Sequence, residues 1–427
     1  AAVLNRAGSK NMVGKLRGVA DNGSLSKEER KGAMMTLLAV GGPREFREYG
    51  LNRKKFTSVG KYDPNAHAVL LARMVEATRE RGVRPEGELG EPLLELLDSG
   101  HEGVLTHALA LIGLWSVRQV EGEVLRSASD KNLGVEIRAA AFLALARMNS
   151  NKAMGILKES SGKKNPSGIR VAAIKAMCLT DLPEAAKRTA GLIGEVGLEG
   201  EELTVLLKAF LSKTSGEDRL VEALKPVDLG QEVADRLLQA LYLSGYLSGK
   251  LSELLGGKVA KNSEPLSSDE KTISELVRLA REKGDSSRGK LESVSCLGCH
   301  RIGSQGGLVG PDLTSLGTTL SPERIVEELL WPGRQVKEGY SMIQLTTKSG
   351  EVLQGYERSA KSGEIAIRQL TEDSLLTLRR DRIHSVKKLG SAMPANLVTS
   401  MPRQRLLDLI QYLVQLGKTE NNGNDRK

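Results

Sequence analysis

The chain has 427 residues, of which 40% are hydrophobic, 27% charged and only 3% aromatic, and it carries a net charge of +9. That length supports two or three separately packed domains and excludes a disordered polymer, while the shortage of rings makes an aliphatic, helix-built core and excludes an all-β sandwich or barrel for the whole chain. The positive excess, 62 Lys and Arg against 53 Asp and Glu, is thinly spread and lacks the aromatic interleaving of a single-strand nucleic-acid groove, so no nucleic acid is expected as a partner.

Residues 1–24 read as an N-terminal extension. They begin AAVLNRAGSKNMVGKLRG, with neither an initiator Met nor the apolar core of a signal peptide, and the sequence is expected to be a processed or truncated one. No apolar run in the chain approaches the roughly 20 residues of a membrane span, so no transmembrane segment is expected.

From 25 to 255 Ala-rich helical faces alternate with short polar breaks. LTHALALIGLW (105–115), VEIRAAAFLALARM (135–148) and GIRVAAIKAMCL (168–179) show this most clearly. Ile112, Ala144, Ala176, Ala209 and Ala240 recur at intervals of 32, 32, 33 and 31 residues. Each unit is long enough for a helical hairpin, and small Ala side chains let hairpins stack, which predicts an α-solenoid. VEIRAAAFLAL resembles HEAT-like repeats. His67, His101 and His107 are scattered along this region and read as packed or solvated, and no catalytic cluster is expected in it.

GGKVAKNSEPL (256–266) reads as a linker. A second domain, 267–416, is expected to open with a helix capped by Ser267 and Glu270 and to run to Gly284. Inside it lies Cys296-Leu-Gly-Cys299-His300. Two thiols at this spacing can each add to a haem vinyl group, and the following imidazole can ligate the iron, so the five residues predict one covalent haem c. A structural zinc site would need four ligands, and Cys178 is the single cysteine left to contribute. A dithiol redox pair would be expected near a βαβ pattern, which is missing.

Ser321, Pro322 and Pro332 bound a short helix. Alternating runs between 338 and 390, at 340–359, 364–370 and 375–389, predict a small antiparallel β insertion. Residues 403–416 return to helix, with Leu406, Ile410, Leu413 and Val414 facing the helix that leads into Cys296. GKTENNGNDRK (417–427) reads as a disordered tail.

Gly310-Pro311-Asp312-Leu313 resembles the turn of class I cytochromes c. There the matching Pro carbonyl, here that of Pro311, accepts the N–H of the proximal imidazole. GDSSRGK (284–290), CLGCH, GPDLTSLG (310–317), SPERIVEELLWP (321–332), the Tyr340 strand, SAMP and LLDLIQYL together resemble the haem-binding domain of Planctomycetes and Verrucomicrobia. In that family a cytochrome core carries a β insertion and often follows HEAT-like repeats. This chain departs from it in LESVS (291–295), which lacks the usual aromatic residue, and in Trp331, where an acidic residue is usual.

The expected fold is therefore mainly α: a HEAT-like α-solenoid, then a class I cytochrome c-like helical domain with a small antiparallel insertion. The sixth iron ligand is sought among Met342, Met393, Met401 and His384, with Met393 the choice because it lies just before the final helix. His/Met ligation leaves no open position and implies one-electron transfer. The resemblance implies electrons arriving from an associated dehydrogenase domain or subunit, such as a propeller-type dehydrogenase. Thioether attachment of haem takes place outside the cytoplasm, so a periplasmic or otherwise exported location is expected. Arg379, Arg380, Arg382, Lys387 and Lys388 could meet an acidic redox partner. The alternative is an interaction scaffold whose haem is structural or senses a ligand.

Overall fold

The computed structural model describes residues 10–53, 62–195, 197–259, 269–358, 362–370, 375–394, 397–398 and 401–418. The chain divides into two compact units, Ala1–Arg188 and Thr189–Lys427.

The first unit is helical. The extension read at 1–24 contains α1 (Lys10–Asp21), which packs on α2 (Lys27–Val40). Helix α2 is opened by a capping box in which Ser26 and Glu29 satisfy each other's backbone N–H groups. α3 (Pro64–Arg81) and α4 (Gly90–Leu97) follow, then the pairs α5 (Glu102–Trp115) with α6 (Glu121–Ser129) and α7 (Val135–Arg147) with α8 (Ala153–Ser160), then α9 (Ser167–Met177). Ile112, Ala144 and Ala176 occupy matching positions near the ends of α5, α7 and α9, and all three are fully buried. The small side chain matters here: a Cβ on Gly113 would stand 2.7 Å from the Ala144 Cα, a spacing no bulkier pair would permit.

A second repeated device supports the stack. Arg138 and Arg170, also 32 residues apart, are buried, and each donates from Nε to a carbonyl ending the preceding helix: Ala128 at 3.1 Å and Ser161 at 3.2 Å. The last carbonyls of a helix have no partner within it, so each Arg supplies the missing donor. Two histidines of this region make local packing contacts. His67 is fully buried between the Gly50 carbonyl and the Tyr62 hydroxyl, and His101 caps α5 through Nδ1.

The second unit continues the helical pairs, with α10 (Leu182–Glu195) shared across the boundary, α11 (Gly200–Leu211) with α12 (Gly216–Leu224), and α13 (Gln231–Leu243) with α14 (Gly249–Val259). The linker read at 256–266 is thus helical to 259, and its remainder, with the proposed cap Ser267, lies outside the described residues. The next helix, α15 (Glu270–Lys283), is capped by Asp269, whose carboxylate accepts from the Thr272 N–H at 2.7 Å.

α16 (Ser286–Glu292), α17 (Leu316–Thr319), α18 (Pro322–Leu330) and α19 (Arg403–Gln415) complete a helical core that includes Ile273, Leu276, Val326, Leu406, Ile410 and Leu413. Ser321 caps α18 with Pro322 in its first turn, as the sequence predicts, and Trp331 ends it, packing on this core with the Arg334 guanidinium 4.8 Å from its ring centre. Of the tail, only residues up to 418 are described.

α16 and α19 pack together at glycine. A Cβ on Gly289 would collide with the Asp408 carbonyl. Asp408 itself is buried and accepts from the Asp285 N–H at 2.8 Å, Arg288 Nε at 2.8 Å and Gln404 Nε2 at 2.9 Å. The Arg288 guanidinium holds its carboxyl down to about 2 against the opposing effect of burial.

The predicted β insertion is a five-stranded antiparallel sheet: β3 (Met342–Thr347), β4 (Val352–Arg358), β5 (Glu364–Arg368), β6 (Leu375–Arg379) and β7 (Ile383–Gly390), in the order β6-β5-β4-β3-β7. A small ribbon that the sequence reading did not anticipate, β1 (Arg301–Ile302) with β2 (Gln305–Gly306), precedes it. The β3–β4 hairpin is hydrogen-bonded to the turns of the last two helical pairs. The Val352 N–H donates to the Ser212 carbonyl (2.9 Å), the Tyr246 hydroxyl to the Val352 carbonyl (3.0 Å), and Gln354 both accepts from and donates to the backbone of Leu247.

Candidate functional site

The segment 293–298 leaves α16 as a tight 3-10 helix, which brings both cysteines and the histidine onto one short loop. The N–H groups of Cys299 and His300 both donate to the Cys296 carbonyl, at 3.1 and 2.8 Å. Cys296 and Cys299 are free thiols, and burial pushes both upward from their ordinary value. At neutral pH they are therefore protonated, the reverse of the depressed thiol on which dithiol redox catalysis depends.

His300 is positioned from the other side of the loop. Its Nδ1 lies 2.7 Å from the Pro311 carbonyl. A carbonyl can only accept, so Nδ1 carries the proton, and burial lowers the ring's basicity enough to keep it neutral. Nε2 is left with a free lone pair. Gly310 makes this possible: a Cβ there would stand 2.5 to 2.9 Å from the ring atoms Cε1, Nδ1 and Nε2, so only glycine lets the backbone lie this close to the imidazole.

The loop between His300 and Pro311 is held by its own backbone. Gly307 N–H donates to Leu297 (2.8 Å), Gly310 N–H to Cys299 (2.7 Å) and Leu313 N–H to Arg301 (2.8 Å). Gly306 takes a positive φ of 100°, which closes the ribbon where a side chain would strike the His300 carbonyl. Asp312 adds a further pin, accepting from the Thr314 N–H at 2.8 Å.

Leu291, Val294 and Leu308 lie close to this loop in sequence and are 72%, 61% and 58% exposed, unusually open for large apolar side chains. Leu243, at the end of α13, lies 4.0 Å from the position a Gly298 Cβ would take. Two thiols, a lone pair with its proton fixed elsewhere and exposed apolar side chains together suit a flat apolar group carrying a metal. Among the described residues no three of His, Cys, Asp and Glu converge as metal ligands.

Cys296, Cys299, His300 and Pro311 are thus brought together. Met393 lies in the turn after β7, its N–H donating to Ser391 Oγ (3.1 Å), and its side chain packs against the helical core that Leu313 also touches. Met401 packs against the same core. Met342 is fully buried in β3 and serves as core, whereas His384 is exposed on β7. Two contacts escape a reading of motifs alone. Asp408 interrupts the apolar run LLDLI, which is the visible signal of a buried charge; the donation from Arg368 Nη1 to the Leu308 carbonyl at 3.3 Å has no local signal, because strand register places that side chain.

Residues 90–178 match the family of HEAT repeats. That span runs from α4 to the end of α9 and covers Ile112, Ala144 and Ala176, three of the five positions aligned from sequence; Ala209 and Ala240 lie beyond it. No curated protein matches the chain.

Proposed function

We propose that residues 267–416 form a cytochrome c-like domain that binds one haem c and carries single electrons. Cys296 and Cys299 would hold the haem through two thioether links, and His300 and Met393 would ligate its iron; bound there, the group would supply a one-electron couple. The Pro311 carbonyl sets the imidazole tautomer and raises its donor strength. The observation that carries the reading is the 2.7 Å bond from His300 Nδ1 to Pro311, which leaves Nε2 free on the same short loop as two cysteines outside any disulfide. Electrons would come from an associated propeller-type dehydrogenase, and because thioether attachment takes place outside the cytoplasm, the location is periplasmic.

The test is expression with an exporting leader and a c-type maturation system. Intact mass is expected to exceed that of the amino acids by one haem, with a thioether-type pyridine haemochrome spectrum. A colourless protein of polypeptide mass overturns the proposal. Met393→Ala is expected to abolish the low-spin ferric Met signature; its loss in Met401→Ala alone reassigns the ligand. A second reading, an interaction scaffold with a ligand-sensing haem, is favoured by the HEAT repeats at 90–178. Rapid binding of carbon monoxide to the native ferrous protein would select it.

A further inference from the structure

We propose that the β insertion clamps the loop that orients His300, and that Arg368 is the positioning residue through which it does so. The proposal rests on His300 being the axial ligand argued above. Strand register sets Arg368 directly opposite Tyr356 in the β4–β5 pair. Tyr356 is almost fully buried, meets Tyr340 edge to face at 5.3 Å, and lies with its ring centre 5.1 Å from the Arg368 guanidinium. A planar cation resting on a fixed ring loses most of its rotational freedom, so its donors point in set directions.

Those donors reach the loop. Arg368 Nη1 donates to the Leu308 carbonyl at 3.3 Å and Nη2 to the Val309 carbonyl at 3.4 Å. These are the two residues immediately before Gly310-Pro311. From there the path to the imidazole is short: Gly310 N–H bonds to the Cys299 carbonyl, and the Pro311 carbonyl accepts from His300 Nδ1. Two adjacent carbonyls match the fork of a guanidinium, whereas an ammonium offers a single point of attachment.

Arg358 provides the internal control. It also lies over the Tyr356 ring, at 5.8 Å, but donates to the Gly339 and Glu357 carbonyls, away from the 308–311 loop. A disturbance of the sheet would follow from either substitution, whereas loss of the clamp follows from one.

The experiment is hydrogen exchange at His300 Nδ1–H, read by NMR on the full-length ferrous holoprotein with labelled histidine. Arg368→Ala and Arg368→Lys are each expected to speed exchange at least tenfold, and Arg358→Ala to stay within twofold of the parent. Haem content is expected to be unchanged in all three, and any fall in the unfolding midpoint to be alike in Arg368→Ala and Arg358→Ala. Exchange within twofold of the parent in Arg368→Ala overturns the clamp, and so does equal acceleration in Arg358→Ala. Parent-like exchange in Arg368→Lys also overturns it, because charge alone would then suffice. Should Arg368→Ala fail to fold, the lysine variant carries the test. If the parent binds no haem, the electron-transfer reading fails, and the same exchange measured on the haem-free chain still decides the clamp.

Discussion

The helices of the HEAT region and the loop around His300 hold their shapes by opposite means. In α5, α7 and α9 a small or aliphatic residue returns every 32 residues to an equivalent buried position, and in α7 and α9 an Arg closes the preceding helix. These interactions recur in a neighbour, so the stack is redundant. Between Cys296 and Leu313 nothing repeats. Shape there comes from glycines that admit close backbone approach and from single hydrogen bonds, each made once. Redundancy tolerates substitution, and uniqueness does not.

Glycine offers the sharpest way to break this comparison. Gly289→Ala puts a methyl into the Asp408 carbonyl and is expected to destabilise the second unit by about 3 kcal/mol, the cost of overpacking a tight helix crossing. Urea unfolding followed by Trp331 fluorescence in a Trp115→Phe background isolates that unit, since the chain has two tryptophans and each unit holds one; a loss below 1 kcal/mol would contradict the crossing.

Asp408→Asn comes next, at about 2 kcal/mol, because it removes the charge that Arg288 and the Asp285 N–H satisfy. The folded carboxyl titrates near 2, below its unfolded value near 3.9. Its contribution is therefore complete above pH 4 and disappears as pH falls towards 2. The parent is expected to lose stability over that interval and Asp408→Asn to show a flatter acid limb in the same assay.

Gly155→Ala is the smallest effect and has the opposite sign. Nothing lies within 4 Å of the added Cβ in α8, and the substitution is expected to stabilise the first unit by about 0.5 kcal/mol through helix propensity. Thermal unfolding read at Trp115 in a Trp331→Phe background checks it. Destabilisation there would erase the contrast between the two regions.

Legibility in the sequence follows the same division. The repeats were visible because periodic burial writes a periodic pattern, and Ile112, Ala144 and Ala176 do occupy one helical position. The sheet was visible in its alternation, and the bond from His300 to Pro311 was anticipated from the resemblance of the Gly-Pro turn to that of class I cytochromes c. What stayed hidden was set by three-dimensional coincidence. The β1–β2 ribbon is two residues to a strand, too short for any period. Arg368 acquires its neighbours from strand register, and Gly289 from a helix 119 residues further on at Asp408. Asp269 rather than Ser267 caps α15, a two-residue displacement of the kind that local propensity resolves poorly because both residue types are good caps.

The β3–β4 hairpin also has a mechanical meaning. Helical repeat arrays behave as springs, stretching through small rotations between successive members. One strand, β4, is bonded through Val352 and Gln354 to turns belonging to two successive members, at Ser212 and at Tyr246-Leu247. It works as a splint: the stretch from 200 to 259 cannot lengthen without tearing those bonds.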